Sequence, residues 1–261
     1  MTTILIIESN TPDLLAIGKS AAASFVRTFQ GIAPEVTLKI ACPYAAPLND
    51  DVFDGVDGVV FSGSGVMWST ADAQAAPLRA EMERAFERGR PVWGSCNGMQ
   101  LAAVVLGGGV GESPNGFEIG AARDTRLSPD GAAHPMMAGR KDGFAVPCIH
   151  RDEVQALPEG AVLIAGNAHS PVQAMAYEVG GVDFWGTQYH PEMSMADVAA
   201  STGGRSLFDG ARDLTDDLAR ADKDPNAAFR LGTSVEALAL QERARELVNW
   251  LAHVRAKAVR A

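Results

Sequence analysis

Cys96 stands in a motif that suits a nucleophile. Residues 94–98 read Gly-Ser-Cys-Asn-Gly and follow a short apolar run at 91–94. Small neighbours allow the strained strand-to-helix turn that presents a nucleophilic side chain. A helix that starts after Cys96 also favours the thiolate, because the positive end of the helix dipole lies there. The motif therefore predicts a nucleophilic cysteine, with a buried cysteine beside a glycine-rich turn as the alternative.

A second motif places a histidine and a carboxylate two residues apart. His190 and Glu192 lie in Tyr-His-Pro-Glu, directly after the apolar run 184–188. Residues two apart on an extended segment point to the same side, so Glu192 is expected to fix the imidazole tautomer and support its charged form. A surface His-Pro-Glu turn is the alternative. Together the motifs predict Cys96 as nucleophile, His190 as base and Glu192 as the group that orients the base, three partners that meet in space rather than in sequence.

A small-residue loop at 62–65 (Ser-Gly-Ser-Gly) follows another apolar run. Such a loop can turn a backbone N–H toward the nucleophile, and with the N–H of Asn97 it would form an oxyanion hole. The alternatives are an ordinary turn between a strand and a helix, or a phosphate loop. The sequence lacks GxxxxGK[ST], and no GxGxxG follows the first apolar run, so nucleotide binding has little support.

The elements that must position these motifs alternate between strands and helices. Strands are predicted at 4–7, 35–40, 57–61 and 91–94, and helices at 12–29, 71–88 and 97–106. This rhythm predicts an α/β fold with a doubly wound, mostly parallel sheet flanked by helices. Shorter added strands are predicted at 117–125, 144–149, 162–165, 172–177 and 184–188. In such sheets the functional sites lie beyond the carboxyl ends of the strands, where both small-residue motifs fall.

The chain is expected to form a single domain over residues 1–261, with 193–261 as a helical C-terminal extension. The polar stretch 209–226 is predicted to be a mobile excursion. A last helix is predicted at 235–259, with a packing face and with His253 in solvent. The packing face consists of Leu238, Leu240, Leu247, Trp250, Leu251 and Val254. The role of 193–234 stays open between a lid, a contact in a homodimer and a docking surface.

Composition narrows the classes of partner. The chain has 261 residues, 47% of them hydrophobic and 21% charged, which is ordinary for a globular protein. The net charge of -10 disfavours nucleic acid and anionic membrane surfaces. No apolar run approaches the roughly 20 residues that span a bilayer, and no signal peptide is evident, so a cytoplasmic protein is expected.

The cysteine pattern argues against a disulfide framework and a zinc site. Cys42, Cys96 and Cys148 are an odd number, widely spaced and without a CxxC pair. Cys42 and Cys148 have no helix start or glycine turn to activate them, so neither is expected to be catalytic. Because no metal-ligand spacing occurs either, the sequence predicts no cofactor and no metal.

Three stretches together resemble the class I glutamine amidotransferases: residues 61–65, 91–100 and 185–192. The likeness is greatest to the amidotransferase domain of GMP synthase and its free-standing relatives, and it spans roughly residues 50–192. The resemblance implies a Cys-His-Glu triad that takes the γ-glutamyl group from glutamine as a thioester, releases ammonia and then hydrolyses the thioester.

The resemblance also implies roles for residues around the triad. Gln100 would hold the substrate together with Gly63 and Gly65, and the backbone N–H of Ser64 would complete the oxyanion hole. The stretch 115–120, with Phe117 and Glu118, would contact the amino-acid end of the substrate. The stretch 150–154 resembles a family segment that is structural or lies at a domain contact. The family loop usually reads Ser-Gly-Gly-Pro; here Ser64 replaces the second glycine, which makes a flipped backbone costlier.

Three functions remain open at this point. One is a glutaminase that hands ammonia to a separate synthetase, because no synthetase domain follows in this sequence. Another is a free-standing hydrolase of γ-glutamyl conjugates of small amines. The third, from a different class, is a catalytically silent regulatory homologue. Outside these three, another kind of cysteine α/β hydrolase is a further alternative. The lone domain favours the conjugate hydrolase and the closeness to GMP synthase favours the glutaminase.

Overall fold

The computed structural model describes residues 2–202 and 212–259. The strands are β1 (Thr3–Ile7), β2 (Thr37–Ala41), β3 (Gly58–Phe61), β4 (Val92–Ser95), β5 (Gly109–Glu112), β6 (Glu118–Leu127), β7 (Phe144–His150), β8 (Asp152–Ala156), β9 (Val162–Gly166), β10 (Ala174–Tyr177) and β11 (Phe184–Thr187). The α-helices are α1 (Pro12–Ala16), α2 (Ala22–Ile32), α3 (Ala76–Glu87), α4 (Asn97–Val105), α5 (Pro129–Ala133), α6 (Met195–Thr202), α7 (Arg212–Arg220), α8 (Pro225–Arg230), α9 (Val235–Leu238), α10 (Leu240–Arg243) and α11 (Arg245–Ala258). Single 3₁₀ turns occur at Asp50–Phe53, Ala73–Ala75 and Pro135–Met137.

The central sheet has nine strands in the order β2-β1-β3-β4-β11-β10-β9-β6-β7. From β2 to β11 every neighbouring pair is parallel, whereas β10, β9, β6 and β7 extend the sheet with antiparallel pairs. Strands β3, β4 and β11 are buried along their whole length, as parallel strands covered by helices on both faces are. The predicted α/β fold with a mostly parallel sheet is confirmed.

The predicted strands agree with the structure to within two residues at either end. The ribbon formed by β5 and β8 was not predicted. Its first strand is glycine-rich and its second carries polar residues, so neither shows the apolar alternation that marks a strand. Among the described helices, none is both long enough and apolar enough to cross a bilayer.

Two predicted helices are broken in the structure. The helix predicted at 12–29 is divided into α1 and α2 around Gly18, whose φ of 78° lies in the left-handed region that ends helices. The helix predicted at 235–259 is divided into α9, α10 and α11, because the backbone leaves the helical region at Ala239, where ψ is 140°, and again at Ala244, where φ is -90° and ψ is 14°. Apolar periodicity continues through both breaks and therefore does not reveal them.

The predicted excursion at 209–226 lies partly outside the described residues. The part that is described is helical rather than irregular: it contains α7 and the start of α8. Buried side chains of these helices, Leu218 and Ala227, belong to an apolar cluster that also includes Ala121 of β6. The segment thus covers one face of the antiparallel end of the sheet.

The C-terminal helix α11 packs against the sheet beside the strand that leads to Cys96. Trp250 is fully buried, and its ring centroid lies 6.3 Å from that of Trp93 on β4 and 6.5 Å from that of Phe29 on α2. The expectation that His253 is in solvent is wrong. Its ring stacks on Trp185 with 4.6 Å between centroids, and its Nε2 lies 2.8 Å from Asp183.

Replacing Trp250 with alanine is expected to lower the free energy of unfolding by about 3–5 kcal/mol, because the change leaves a large cavity between α11 and the sheet. Urea denaturation measures this loss. Phe229→Ala is the matched control: this aromatic side chain is 80% exposed, and its removal should change the free energy by less than about 0.5 kcal/mol. Equal effects of the two substitutions would contradict the described packing of α11.

Candidate active site

Cys96 occupies a strained turn between β4 and α4. Its φ is 49° and its ψ is -104°, a conformation that residues with a side chain rarely adopt. Glycines on both sides make the turn possible. A Cβ at Gly94 would lie 2.5 Å from the carbonyl carbon of Gly98, and one at Gly98 would lie 2.3 Å from the carbonyl oxygen of Phe61. The close approach of β3, β4 and α4 therefore excludes other residues at both positions.

His190 and Glu192 follow β11 and form a buried pair beside Cys96. The Nδ1 of His190 lies 2.7 Å from Oε1 of Glu192. A carboxylate can only accept, so Nδ1 carries the proton of this bond. The other oxygen of Glu192 accepts a bond of 2.9 Å from the hydroxyl of Ser95, which in turn accepts one of 3.0 Å from the indole N–H of Trp93. The carboxylate is thus fixed from two directions.

The environment of His190 favours its charged form. Burial alone would lower the pKa of the imidazole, but the charges of Glu192 and Cys96 outweigh burial and raise the pKa to about 10. The side-chain contact with Cys96 contributes to the raised pKa, and among the described residues no well-aligned hydrogen bond to Nε2 is formed. Such bonds in catalytic sites often shorten only when substrate binds. The arrangement places a charged imidazole beside the thiol of Cys96, as nucleophilic cysteine catalysis requires.

The loop after β3 packs on the imidazole of His190 and is hydrogen-bonded to the segment that follows β1. A Cβ at Gly63 would lie 2.7 Å from Cε1 of His190, so only glycine fits there. The hydroxyl of Ser64 donates to the carbonyl of Ser9 at 2.8 Å, and the N–H of Gly65 donates to Oδ1 of Asn10 at 2.7 Å. Because the Gly65 N–H is engaged, the backbone N–H groups of Ser64 and Asn97 stay the predicted oxyanion donors. The anchoring residues Ser9 and Asn10 carry no motif and were missed.

Gln100 lies one helical turn after Cys96 and is held by two acceptors. Its Nε2 donates to the carbonyl of Asp152 at 2.7 Å and to Oε1 of Gln188 at 3.2 Å. The amide is thereby oriented, which leaves its Oε1 to accept a bond from a ligand. The Sγ of Cys96 lies 3.9 Å from the carbonyl oxygen of Ile149, near the end of β7.

Glu118 has protein partners for both carboxylate oxygens. Oε2 lies 2.9 Å from Nε2 of His150 and 2.6 Å from Nε2 of Gln173, and Oε1 accepts a bond of 2.7 Å from Asn167. Burial would raise the pKa of Glu118, but the bonds from His150 and Asn167 lower it below its usual value. The structure therefore gives Glu118 a role in joining β6, β7 and the loop before β10. Phe117 is half-buried beside it.

The remaining thiols differ from Cys96. Cys148 is fully buried on β7, and burial together with the negative charge of Glu118 raises the pKa of its thiol. This environment disfavours a thiolate. The Sγ of Cys42 lies 3.4 Å from the carbonyl of Asn10.

One group of potential metal ligands occurs among the described residues, and it lies at the other end of the sheet. Glu178, Asp183 and His253 each place a ligand atom within 4.8 Å of the others, next to the amino end of β11. Asp183 already binds His253 and also lies 3.0 Å from Nζ of Lys257. An ion-pair group accounts for these contacts.

Comparison with known proteins identifies relatives of this arrangement. The sequence model of class I glutamine amidotransferases matches residues 18–205. The γ-glutamyl-L-1-hydroxyisopropylamide hydrolase of a Pseudomonas species is 32% identical over 96% of this chain and 92% of its own length. The glutamine-hydrolysing GMP synthase of Thermomicrobium roseum is 34% identical over 58% of this chain, but the match covers only 26% of that enzyme.

Solved structures share the fold. A glutamine amidotransferase from Thermotoga maritima superimposes with a TM-score of 0.66 at 20% identity, over 97% of each chain. One from Methylobacillus flagellatus gives a TM-score of 0.60 at 23% identity, over 99% of this chain and 94% of that one.

Replacing Glu192 with glutamine is expected to lower the pKa of His190 from about 10. The substitution removes the raising carboxylate charge while burial, which lowers the pKa, remains. The imidazolium should therefore lose its proton at a lower pH than in the wild-type protein. NMR titration of ¹³C-labelled histidine measures this, with His190→Gln used to assign the signal. An unchanged titration in the Glu192→Gln variant would contradict the described pairing.

Proposed function

The chain belongs to the class I glutamine amidotransferase family, and from that premise we propose that it hydrolyses γ-glutamyl amides through a thioester on Cys96. The observation that carries this proposal is the strained turn that presents Cys96 beside the buried His190–Glu192 pair. A buried imidazole with a raised pKa and a neighbouring thiol is the arrangement that nucleophilic cysteine catalysis requires.

In the first step the thiolate of Cys96 attacks the γ-carbonyl carbon of the substrate. A C–S bond forms, and the negative charge moves to the carbonyl oxygen, where the backbone N–H groups of Ser64 and Asn97 are the proposed donors. The His190 imidazolium then gives its Nε2 proton to the amide nitrogen. The C–N bond breaks, the amine leaves, and a γ-glutamyl thioester remains.

In the second step water replaces the amine. Neutral His190 takes a proton from the water, and the oxygen attacks the thioester carbon through a second oxyanion. The C–S bond breaks, glutamate leaves, and the thiolate of Cys96 again faces an imidazolium. Glu192 accepts a hydrogen bond from Nδ1–H of His190 throughout and so stabilises the imidazolium in both steps.

The amino-acid end of the substrate is proposed to lie along α4 and the end of β7. The Oε1 of Gln100 is oriented to accept a bond from the substrate ammonium, because its Nε2 is engaged by Asp152 and Gln188. The carbonyl of Ile149, 3.9 Å from Sγ of Cys96, is a second acceptor on the same side.

The proposed leaving group is a small amine rather than ammonia. The relative that aligns over nearly the whole chain is named for a γ-glutamyl amide of a small amino alcohol. The second candidate is a glutaminase that supplies ammonia to a separate synthetase. The match to GMP synthase, which covers 58% of this chain, favours this candidate. A silent regulatory homologue is the third, and the presence of Cys96, His190 and Glu192 at one site argues against it.

Steady-state release of glutamate is expected from the γ-glutamyl amide of a small amino alcohol, and more slowly from glutamine. Cys96→Ala should lower the rate by about 10⁴-fold or more, because the members of a catalytic triad act as a unit. Cys42→Ser is the matched control, since it retains a donor to the Asn10 carbonyl, and its rate should equal that of the wild type. Turnover retained in Cys96→Ala would exclude the mechanism.

The comparison of substrates separates the two candidates. Faster turnover of the amino-alcohol conjugate supports a self-sufficient hydrolase. Preference for glutamine over every conjugate would favour the glutaminase and overturn the proposed leaving group, while leaving the thioester mechanism in place.

A further inference from the structure

The C-terminal helices place a buried arginine behind Glu192, the carboxylate that orients His190. Arg243 ends α10 and lies beyond residues 18–205, the part that matches the family. Only 9% of its surface is exposed. Burying a guanidinium costs folding free energy unless partners accept its hydrogen bonds and balance its charge.

Both sets of donors of Arg243 serve the turn that carries Glu192. Nη1 donates to the carbonyl of Pro191 at 2.8 Å, and Nη2 lies 3.4 Å from the hydroxyl oxygen of Thr28. That hydroxyl donates to the carbonyl of Glu192 at 2.8 Å. The backbone on either side of the carboxylate is therefore bound from α2 and α10 at once.

The charge of Arg243 completes the balance of the buried site. Burial lowers the pKa of this guanidinium, and the Glu192 carboxylate is the largest of the charges that raise it. With Cys96 as thiolate and His190 as imidazolium, Glu192 alone would leave the group with one net negative charge. The positive charge of Arg243 offsets part of this excess, which would otherwise disfavour a negative charge on Cys96.

The neighbouring ion pair does not share this role. Glu246 of α11 is fully buried and binds Arg140, with Nε at 2.9 Å from Oε1, and it accepts a bond of 3.0 Å from the Tyr189 hydroxyl. Arg140 and Glu246 neutralise each other. Arg243, by contrast, forms no ion pair within 4.0 Å in the described parts of the chain, and the carboxylate charges that act on it are those of Glu192 first and then of Asp197 and Asp222.

We propose that Arg243 is a positioning residue for the hydrolysis, acting through Glu192 by holding the Pro191–Glu192 backbone and by placing a buried positive charge behind the carboxylate. The test of this inference by turnover rests on the proposed function. The test by alkylation of Cys96 does not. It assigns to the C-terminal helices a direct part in setting the reactivity of a cysteine that lies on another element. Thr28 is the second member of the same support.

The first test is the reactivity of Cys96 in Arg243→Met. Its rate of alkylation by iodoacetamide at neutral pH should fall by about ten- to a hundredfold, because loss of the cation disfavours the thiolate and misplaces the base. Arg245→Met is the matched control: it removes an arginine at the start of α11 that pairs with Glu242, and alkylation should be unchanged. This readout needs no substrate, so it stands even if no γ-glutamyl amide is hydrolysed.

The second test asks whether Arg243 acts through Glu192. In the wild-type background Arg243→Met should lower kcat while KM changes little. In the Glu192→Gln background the same substitution should lower kcat by a smaller factor, because the carboxylate charge is already gone and only the bond to the Pro191 carbonyl is lost. An equal loss in both backgrounds, or no loss in either, would overturn the proposal.

A variant that preserves volume guards against misfolding. Thr28→Val removes the hydroxyl between Arg243 and the Glu192 carbonyl but keeps the shape of the side chain. It should lower the alkylation rate in the same direction and by less, since the cation stays. Wild-type alkylation in this variant, together with wild-type alkylation in Arg243→Met, would show that the support does not reach Cys96.

Discussion

The close approach of three backbone segments around Cys96 is the constraint on which the site depends. The end of β3, the end of β4 and the start of α4 meet so closely that neither Gly94 nor Gly98 leaves room for a Cβ. The resulting turn holds Cys96 at a positive φ, a strain of about 1–3 kcal/mol that the surrounding packing must offset. The buried strands and Trp250 of α11 supply that packing, so the core and the nucleophile are parts of one structure.

Around this turn the protein keeps charged groups away from water and compensates each one. His190 bonds to Glu192, and Glu192 is further held by Ser95 on the strand that precedes the nucleophile. In the low dielectric of a buried site these charges interact strongly, and their geometry sets their protonation. The loop with Gly63 packs on the same imidazole, so the proposed oxyanion donors and the proposed base share one set of contacts.

Sequence patterns predicted the parallel half of the sheet well, because β1, β3 and β4 are short apolar runs that are largely buried, although the edge strand β2 is only half-buried. The patterns did not predict strands that form through backbone pairing without a buried apolar face. β5 and β8 are joined across more than forty residues, with Val110 opposite Val154, and neither has a clear alternation. Helix breaks at Gly18 and Ala239 were also missed, because the apolar face continues on both sides of each break.

The same contrast holds for the site. Cys96, His190 and Glu192 could be predicted because each belongs to a local motif whose residue types have a chemical reason. Asn10, which anchors the loop, and Arg243, which supports the Glu192 turn, lie in unremarkable sequence. They reach the site only through folding, from segments that are remote in the chain. Supporting residues of this kind become visible when each buried polar group is matched with its partner.

Partitioning of the intermediate between water and hydroxylamine tests the central claim most directly. Different γ-glutamyl amides should all pass through the same γ-glutamyl thioester on Cys96. The ratio of γ-glutamyl hydroxamate to glutamate then depends on the concentration of hydroxylamine and not on the amine that left. Two γ-glutamyl amides with different amines should therefore give the same ratio at each hydroxylamine concentration. A ratio that differs between the two amides would contradict a common thioester, because the leaving amine would still be present when the acyl group is captured.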